Sequence, residues 1–112
     1  MNTHLIHCQE PWLSLIKSGQ KPVEGRKNSS VYQRIKVVDI ITFFAGHNRF
    51  NALVIAINSY PDLRTYLLTE TVERALPGIK TIEEALAIYH QWNSEHEIRK
   101  HGFLAIQVKP VL

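Results

Sequence analysis

The sequence predicts an α+β protein, a small antiparallel or mixed barrel of about five or six strands flanked by three or four short helices. Three observations lead to this prediction. Apolar segments with strand periodicity lie mainly in residues 1–60, segments with helical periodicity lie mainly in residues 61–92, and an apolar segment closes the chain. With 112 residues, the chain has the length of one domain, so residues 1–112 are predicted to form a single unit.

The first predicted elements are a strand at "THLIHC" and a short helix at "PWLSLIKSG". Pro11 suits the first turn of a helix, where its missing N–H is not needed, and Gly19 is a typical helix end. The next extended segment is "KPVEGRK". Pro22 favours an edge position for this segment, and Gly25 suggests a β-bulge within it.

Residues 28–60 are predicted to add a helical turn at Val31–Ile35 and two strands. The strands are Asp39–Phe44 and "FNALVIAINSY", and "HNRF" forms the turn between them. In the second of these strands, Leu53, Ile55 and Ile57 are expected to share one face.

The second half is predicted to be mostly helical. Pro61 and Asp62 precede one helix, and Thr81-x-x-Glu84 is a capping box that opens a second helix at "TIEEALAIYHQW". The closing segment "HGFLAIQVKPV" is apolar over several consecutive residues. It is therefore predicted to insert between other strands.

The charge distribution is uneven, although 45% hydrophobic and 21% charged residues are ordinary values for a globular protein. Residues 1–50 carry seven basic and three acidic side chains, so their net charge is +4. Residues 51–112 carry six basic and seven acidic ones, so theirs is −1, and the chain total is +3. If the basic residues share a face, they would attract a phosphate-bearing partner; a solvated basic surface is the alternative.

Several classes of protein are not expected. No segment approaches the ~20 apolar residues that cross a bilayer, and the start "MNTHLIHCQE" lacks the pattern of a signal peptide. Cys8 is the only cysteine, which excludes an internal disulfide. We therefore expect a cytoplasmic (intracellular) protein with no membrane partner.

The histidines and Cys8 do not form a recognisable metal or catalytic pattern. His4 and His7 are three residues apart in a predicted strand, so their side chains are expected on opposite faces. We expect no metal and no cofactor. Cys8 is expected to be a buried free cysteine. Tyr89 and Trp92 are expected to belong to the core.

The stretch "GQKPVEGRK" concentrates four charged side chains. In an extended chain Glu24 and Arg26 share one face, and Arg26 would keep Glu24 ionised. Lys21 has the opposite parity, so it joins them only if the chain bends at Pro22. Lys27 is a further candidate for ligand binding. The alternative interpretation is a solvated ion pair on an edge strand.

The segments "EPWLSLIKSGQKPVEGR", "IKVVDIITF", "LPGIKTIEEALAIYHQW" and "GFLAIQVKPV" resemble the ASCH domain family over nearly the whole chain, residues 7–108. The best-marked signature of the family is a glycine, a lysine and E-x-R after a short helix. Gly19, Lys21, Glu24 and Arg26 match it. The resemblance implies a PUA-like β-barrel and a small stand-alone ASCH protein.

The resemblance also implies work on RNA, because PUA-like barrels commonly bind RNA and ASCH proteins are thought to carry a positively charged cleft at the signature residues. One bacterial branch hydrolyses the acetyl amide of N4-acetylcytidine with a lysine, a threonine three residues later and a distant glutamate. Lys21 matches the lysine, but Glu24 stands where that branch has threonine. Glu70 and Glu73 match the distant glutamate by rough position only.

The leading hypothesis is an ASCH-type domain that binds RNA or a nucleotide-like ligand in a cationic cleft. Lys21 and Arg26 would contact phosphate or a polar base edge. Glu24 would accept hydrogen bonds from an exocyclic amine and hold Arg26. Trp12 or Tyr32 would supply a stacking face. For Trp12, packing in the core beside Leu15 and Ile16 is the alternative.

Two other classes of function remain open at this point. The first is a hydrolase of a modified nucleoside or small amide, with Glu24 as the general base and Lys21 stabilising the developing oxyanion. The second is a protein-interaction module whose cleft takes an acidic segment of a partner.

Overall fold

The computed structural model describes residues 1–111 and confirms the α+β class. Within these residues, five strands form one curled mixed sheet, a half-barrel, and five short helices pack around it. No helix among them is long and apolar enough to cross a membrane. The strands are β1 (Thr3–His7), β2 (Val23–Lys27), β3 (Ile40–Ala45), β4 (Asn48–Tyr60) and β5 (Phe103–Val111). The helices are α1 (Trp12–Ser18), α2 (Leu63–Glu70), α3 (Val72–Ala75), α4 (Ile82–Tyr89) and α5 (Glu95–His101), and a 3₁₀ turn spans Tyr32–Arg34.

The strand order is β1–β3–β4–β5–β2, with β1 and β3 parallel and all other neighbours antiparallel. The closing strand β5 lies between β4 and β2, as its continuous apolar sequence predicts. β2 is an edge strand, which confirms the position that Pro22 favours. Helices α3 and α5 pack beside β2.

The core lies between the helices and one face of the sheet. Ile41 and Phe43 of β3 are fully buried, as the alternation of a half-buried strand requires. Val54 of β4 is also buried, but a bulge between Val54 and Ala56 shifts the register of β4 against β5. Ile55 lies at this bulge and is exposed.

Helix ends follow local sequence signals. Thr81 Oγ1 accepts a hydrogen bond from the N–H of Glu84 at 3.1 Å, so the predicted capping box is confirmed. Asp62 begins α2 by accepting from the N–H of Thr65 at 2.7 Å. Gly19 ends α1 with φ of 86°, in the left-handed region that glycine adopts without steric cost.

The sequence interpretation did not include α3 and α5. The sequence of α5, "EHEIRKH", has one buried residue, Ile98, and therefore no apolar stripe. Its start is marked instead by Ser94, whose side chain accepts from the N–H of Glu97 at 3.2 Å.

Gly25 does not form a bulge, because β2 pairs with β5 in unbroken register over Val23–Lys27. Its role is close packing. A Cβ atom at this position would lie 2.5 Å from the hydroxyl oxygen of Tyr66 and 2.6 Å from the ring of Phe103. The glycine therefore allows Tyr66 to pack directly on the backbone of the edge strand.

Asp39 joins the N-terminal strand to the rest of the sheet. Its carboxylate accepts hydrogen bonds from the N–H of Asn2 at 2.9 Å, from the N–H of Lys36 at 2.9 Å and from His4 Nε2 at 2.8 Å. These bonds lower the pKa of the Asp39 carboxyl from 3.8 to about 2, the bond from His4 contributing most.

We expect Gly25→Ala to lower the free energy of unfolding by about 3 kcal/mol, because buried atoms must move to admit the new methyl group. Gly46→Ala is the matched control. Its Cβ meets no atom within 4 Å, and only its φ of +59° is unfavourable, which costs about 1 kcal/mol. Urea denaturation measures both variants, and equal losses would contradict the proposed packing role of Gly25.

We also expect Asp39→Asn to lose most stability near neutral pH. A carboxyl with a lower pKa in the folded state stabilises the protein above its unfolded pKa, and that stabilisation disappears as the pH falls through the folded pKa. The difference between wild type and Asp39→Asn should therefore shrink between about pH 4 and pH 2. The urea midpoint measured across this range checks it, with Glu83→Gln on an exposed helix face as control for the lost charge. A difference that is constant with pH would contradict this role of the Asp39 carboxylate.

Candidate functional site

Lys21, Glu24 and Arg26 converge on one site, as the sequence predicts. The Lys21 side chain is only 1% exposed, and its Nζ lies 3.3 Å from Glu24 Oε1. Nζ also donates to the carbonyl oxygen of Val23 at 2.6 Å and to the carbonyl oxygen of Ala75 in α3. Lys21 thus links the edge strand to a helix.

Glu24 and Arg26 form a bidentate ion pair on the shared face that strand alternation predicts. Glu24 Oε2 accepts from Arg26 Nε at 3.1 Å and from Nη2 at 2.7 Å. Arg26 Nη1 also donates to the Tyr32 hydroxyl at 2.9 Å, and Nη2 donates to the carbonyl oxygen of His7 at 2.8 Å. The guanidinium carbon lies 5.4 Å from the centre of the Tyr32 ring, in the range of a cation–π contact.

Lys21 reaches the other two residues because it precedes the strand. Its N–H donates to the carbonyl oxygen of Leu15 at 3.0 Å, which holds Lys21 at the end of α1. Pro22 follows, and its carbonyl oxygen accepts from the N–H of Val108 at 2.9 Å, so pairing with β5 starts after the bend. Strand parity therefore does not apply to Lys21.

Burial and charge act in opposite directions on these groups. Burial alone would raise the pKa of the Glu24 carboxyl, but the charges of Arg26 and Lys21 outweigh it and hold this pKa below its usual value. Burial lowers the pKa of the Lys21 ammonium, although Glu24 opposes that shift. Burial alone would also lower the pKa of the Arg26 guanidinium, but the charge of Glu24 outweighs this effect and raises the pKa above its usual value. The ion pairs of Glu24 with Lys21 and Arg26 correspond to two cations and one anion, a net charge of +1.

The hydrogen-bonding capacity of these three side chains is almost fully used within the protein. All three N–H groups of the Lys21 ammonium face acceptors, namely two carbonyls and a carboxylate. Arg26 uses four of the five N–H groups of a guanidinium, which leaves one on Nη1. Glu24 Oε1 has one ion-pair partner and keeps a free lone pair.

These three residues form the floor of a cleft of about 280 Å³. Its other lining residues are mainly aromatic and uncharged polar side chains, which would give a ligand flat apolar walls and a polar base. The aromatic ones are Trp12, Tyr32, Tyr89, Trp92 and Phe103. The remaining polar or charged ones are His7, Cys8, Gln9, Lys27, Ser29 and Asn93.

The comparisons with known proteins agree with the family resemblance of the sequence. A family model described as the ASCH domain matches residues 6–112. The chain belongs to the ASCH domain family. A comparison with curated proteins finds no match.

Solved structures share this ASCH fold over almost the whole chain. The crystal structure of the hypothetical protein PH0355 has a TM-score of 0.90 and 35% identity, over 99% of this chain and 100% of that one. The solution NMR structure of protein PF0455 from Pyrococcus furiosus has a TM-score of 0.81 and 35% identity, over 99% and 98% of the two chains. The crystal structure of ASCH from Zymomonas mobilis has a TM-score of 0.65 and 16% identity, over 96% and 69%. This last likeness concerns the fold alone.

The two tryptophans of the ASCH cleft differ in burial. Trp12 is buried at the start of α1, and its ring centre lies 6.0 Å from Lys21 Nζ, so it both packs in the core and borders the floor. Trp92 is 46% exposed, which corrects the expectation that it belongs to the core. The reason is that α4 ends at Tyr89, so Trp92 lies beyond the buried stripe of that helix and borders the mouth of the cleft.

Tyr89 is buried, as expected, but its hydroxyl is also part of the site. The hydroxyls of Tyr66 and Tyr89 are 2.8 Å apart, and Tyr66 is fully buried with no other hydrogen-bond partner among residues 1–111. If Tyr89 donated, the Tyr66 hydrogen would be buried without an acceptor. Burial therefore favours Tyr66 as the donor, which leaves the Tyr89 O–H free to donate within the cleft that Tyr89 lines.

Cys8 is buried, as expected, and borders the cleft. Burial and the nearby charge of Glu24 raise the pKa of its thiol to about 12. Cys8 is therefore a protonated thiol at neutral pH and a poor nucleophile.

The other charged candidates lie at the rim of the cleft or away from it. Lys27 borders the cleft, and its Nζ lies 3.5 Å from Glu97 Oε2 in a partly exposed ion pair. Glu70 bonds to the Tyr60 hydroxyl and does not line the cleft, and Glu73 is exposed on α3. Among residues 1–111, Glu24 is thus the only carboxylate that lines the cleft.

We expect Glu24→Gln to lower the free energy of unfolding by roughly 3–5 kcal/mol, because it leaves the buried charges of Lys21 and Arg26 without their counter-ion. Glu97→Gln is the matched control. It removes a partly exposed pair with Lys27 and should cost less than about 1 kcal/mol. Urea denaturation at neutral pH compares the two variants. Similar losses for both would show that the ion pairs at the floor contribute no more than a surface pair.

Proposed function

We propose that this ASCH domain binds single-stranded RNA and takes one unstacked base into the cleft. The observation that carries the proposal is the combination of aromatic walls with a charged floor whose hydrogen-bonding capacity is almost used up. A cleft of this kind suits a flat, uncharged ring with polar edges, which is the chemistry of a nucleobase.

The walls support stacking. Every nucleobase has a π-face, so aromatic side chains bind bases with little dependence on sequence. Tyr32 is held in place by Arg26, and Trp92 is accessible at the mouth. Trp12 is fixed in the core and would act as a rigid surface beside the floor.

The floor supports recognition of a polar edge rather than of a phosphate group. It offers one N–H of Arg26, one lone pair of Glu24 and the O–H of Tyr89. Lys21 has no N–H left for a ligand, so its role in the proposal is to hold Glu24 in place. Two donors and one acceptor match the mixed edges of the bases.

The phosphates of the bound strand would lie outside the cleft. Lys27 borders the rim, and Arg34 and Lys36 are exposed next to Tyr32 in the chain. These side chains belong to the half of the sequence that carries the excess of +4. They would supply attraction to the backbone that is independent of sequence.

The geometry favours binding over hydrolysis. A general base needs access to a water molecule and a pKa near the working pH, whereas Glu24 is buried and held ionised by two cations. Lys21 could stabilise an oxyanion only by giving up one of its present acceptors. The distant carboxylates Glu70 and Glu73 do not line the cleft.

We expect Trp92→Ala to weaken binding of a short mixed-sequence single-stranded RNA by about tenfold, because one stacked base contributes roughly 1–3 kcal/mol. Leu68→Ala is the control, since Leu68 is similarly accessible, 62% exposed, and does not line the cleft. Quenching of tryptophan fluorescence and calorimetric titration both measure the affinity. RNA binding should fall as the salt concentration rises, whereas binding of a free nucleoside should not.

Absence of any RNA or nucleoside binding at low salt would overturn the proposal. Binding of an acidic peptide without nucleoside binding would do the same, and would identify the domain as a protein-interaction module. Equal affinities of Trp92→Ala and Leu68→Ala for RNA would exclude the mouth of the cleft from the binding surface.

A further inference from the structure

A second groove adjoins the cleft across Tyr32. Tyr32 lines both hollows, so they are neighbours that share one wall. The second groove has a volume of about 330 Å³ and is more open to solvent than the cleft. Its apolar lining includes Ile35, Val37, Ile57 and Leu104. Its size and apolar surface would admit a second ring of the dimensions of a base.

Asn28 lines the second groove and carries an orphaned polar atom. Its Oδ1 is buried and accepts no hydrogen bond from residues 1–111. A buried amide oxygen without a donor costs the protein part of its stability, so such atoms are rare in folded domains. The oxygen itself is shielded from solvent, so a ligand in the groove would contact the amide through its nitrogen, which carries two N–H donors.

The charges around the second groove are complementary to a phosphate. Lys36 lines it, and no acidic residue among residues 1–111 does so. Arg34 is exposed next to it in the chain. A strand that left the cleft past Tyr32 would therefore carry its next phosphate toward cationic side chains.

Tyr32, the shared wall, is held from two sides. The backbone N–H groups of Tyr32 and Gln33 both donate to the carbonyl oxygen of Ser29, at 3.1 and 2.9 Å, which fixes the 3₁₀ turn. Arg26 binds the Tyr32 hydroxyl from the cleft side. The ring is therefore held in a fixed position between the two hollows and forms part of the wall of each.

We propose that the second groove is a subsite for the nucleotide next to the one in the cleft. The ligand is then an RNA segment of at least two nucleotides that passes over Tyr32, and not a free nucleoside. Asn28 contacts the edge of the second base, and Lys36 contacts a phosphate. This inference rests on the proposed function of the cleft.

The first test compares each common ribonucleoside with ribodinucleotides that contain it, by calorimetric titration at constant low salt. We expect the best dinucleotide to bind at least about tenfold more tightly than the best nucleoside, because it adds a stacked base and a phosphate contact.

Two variants locate the gain in affinity. Asn28→Ala should leave nucleoside affinity and stability to urea unchanged or better, since the amide oxygen is buried without a donor from residues 1–111. It should nevertheless reduce the advantage of the dinucleotide. Val37→Glu places a carboxylate in the groove and should abolish that advantage. Val31→Glu is its matched control: Val31 is 61% exposed, against 48% for Val37, and does not line the groove.

Dinucleotides that bind no more tightly than nucleosides would overturn the second subsite and leave the proposed function of the cleft intact. An advantage that survives both Asn28→Ala and Val37→Glu would also overturn it, because the second nucleotide would then lie elsewhere. If neither nucleosides nor dinucleotides bind, the proposed function fails and the subsite fails with it.

Discussion

The neutralisation of one buried carboxylate determines how the edge of the sheet is built. Glu24 lies between Lys21 and Arg26 and forms an ion pair with each. Without these partners, the desolvation of any one of the three charges would destabilise the fold strongly. The hydrogen bonds of Lys21 to Val23 and Ala75 join β2 to α3. The ion pairs thus fix the edge strand, a helix and the floor of the cleft in one arrangement.

The same contacts limit what the floor can do. Each hydrogen bond that makes the buried charges tolerable removes a donor or an acceptor from a ligand, so a floor with a net charge of +1 offers little of that charge for direct contact. Selectivity must therefore come from shape, from the aromatic walls and from a few remaining groups. This is why the proposed ligand is a neutral ring and not a phosphate, although the floor residues are charged.

The sequence predicts elements whose signals are local. Alternation predicts the strands and the shared face of Glu24 and Arg26, and a capping box predicts the start of α4. The sequence does not predict α5, because this helix is polar and only the cap at Ser94 marks its start. The reason for Gly25 depends on α2 and β5, which are distant in the chain, so its sequence context suggested a bulge instead.

The site residues, too, divide into those with a local sequence signal and those that depend on contacts between distant parts of the chain. The family signature and the alternation of β2 predict three floor residues, and the bend before the strand explains why Lys21 joins them. Local periodicity could not find Trp92, because that prediction depends on where α4 ends. Asn28 carries no sequence signal, since only the tertiary structure of residues 1–111 leaves its amide oxygen without a donor.

Tyr32 connects the ion pairs with both hollows. Arg26 holds the Tyr32 hydroxyl and faces its ring, so the position of the shared wall depends on the same guanidinium that neutralises Glu24. A change at the floor would therefore move the wall, and through it the second groove as well as the cleft. Energetic effects of substitutions at Arg26 and at Tyr32 should not add, because both residues belong to one network of contacts. Under the proposed function, recognition of a base and the path of the strand would then both depend on a single buried arrangement of charges.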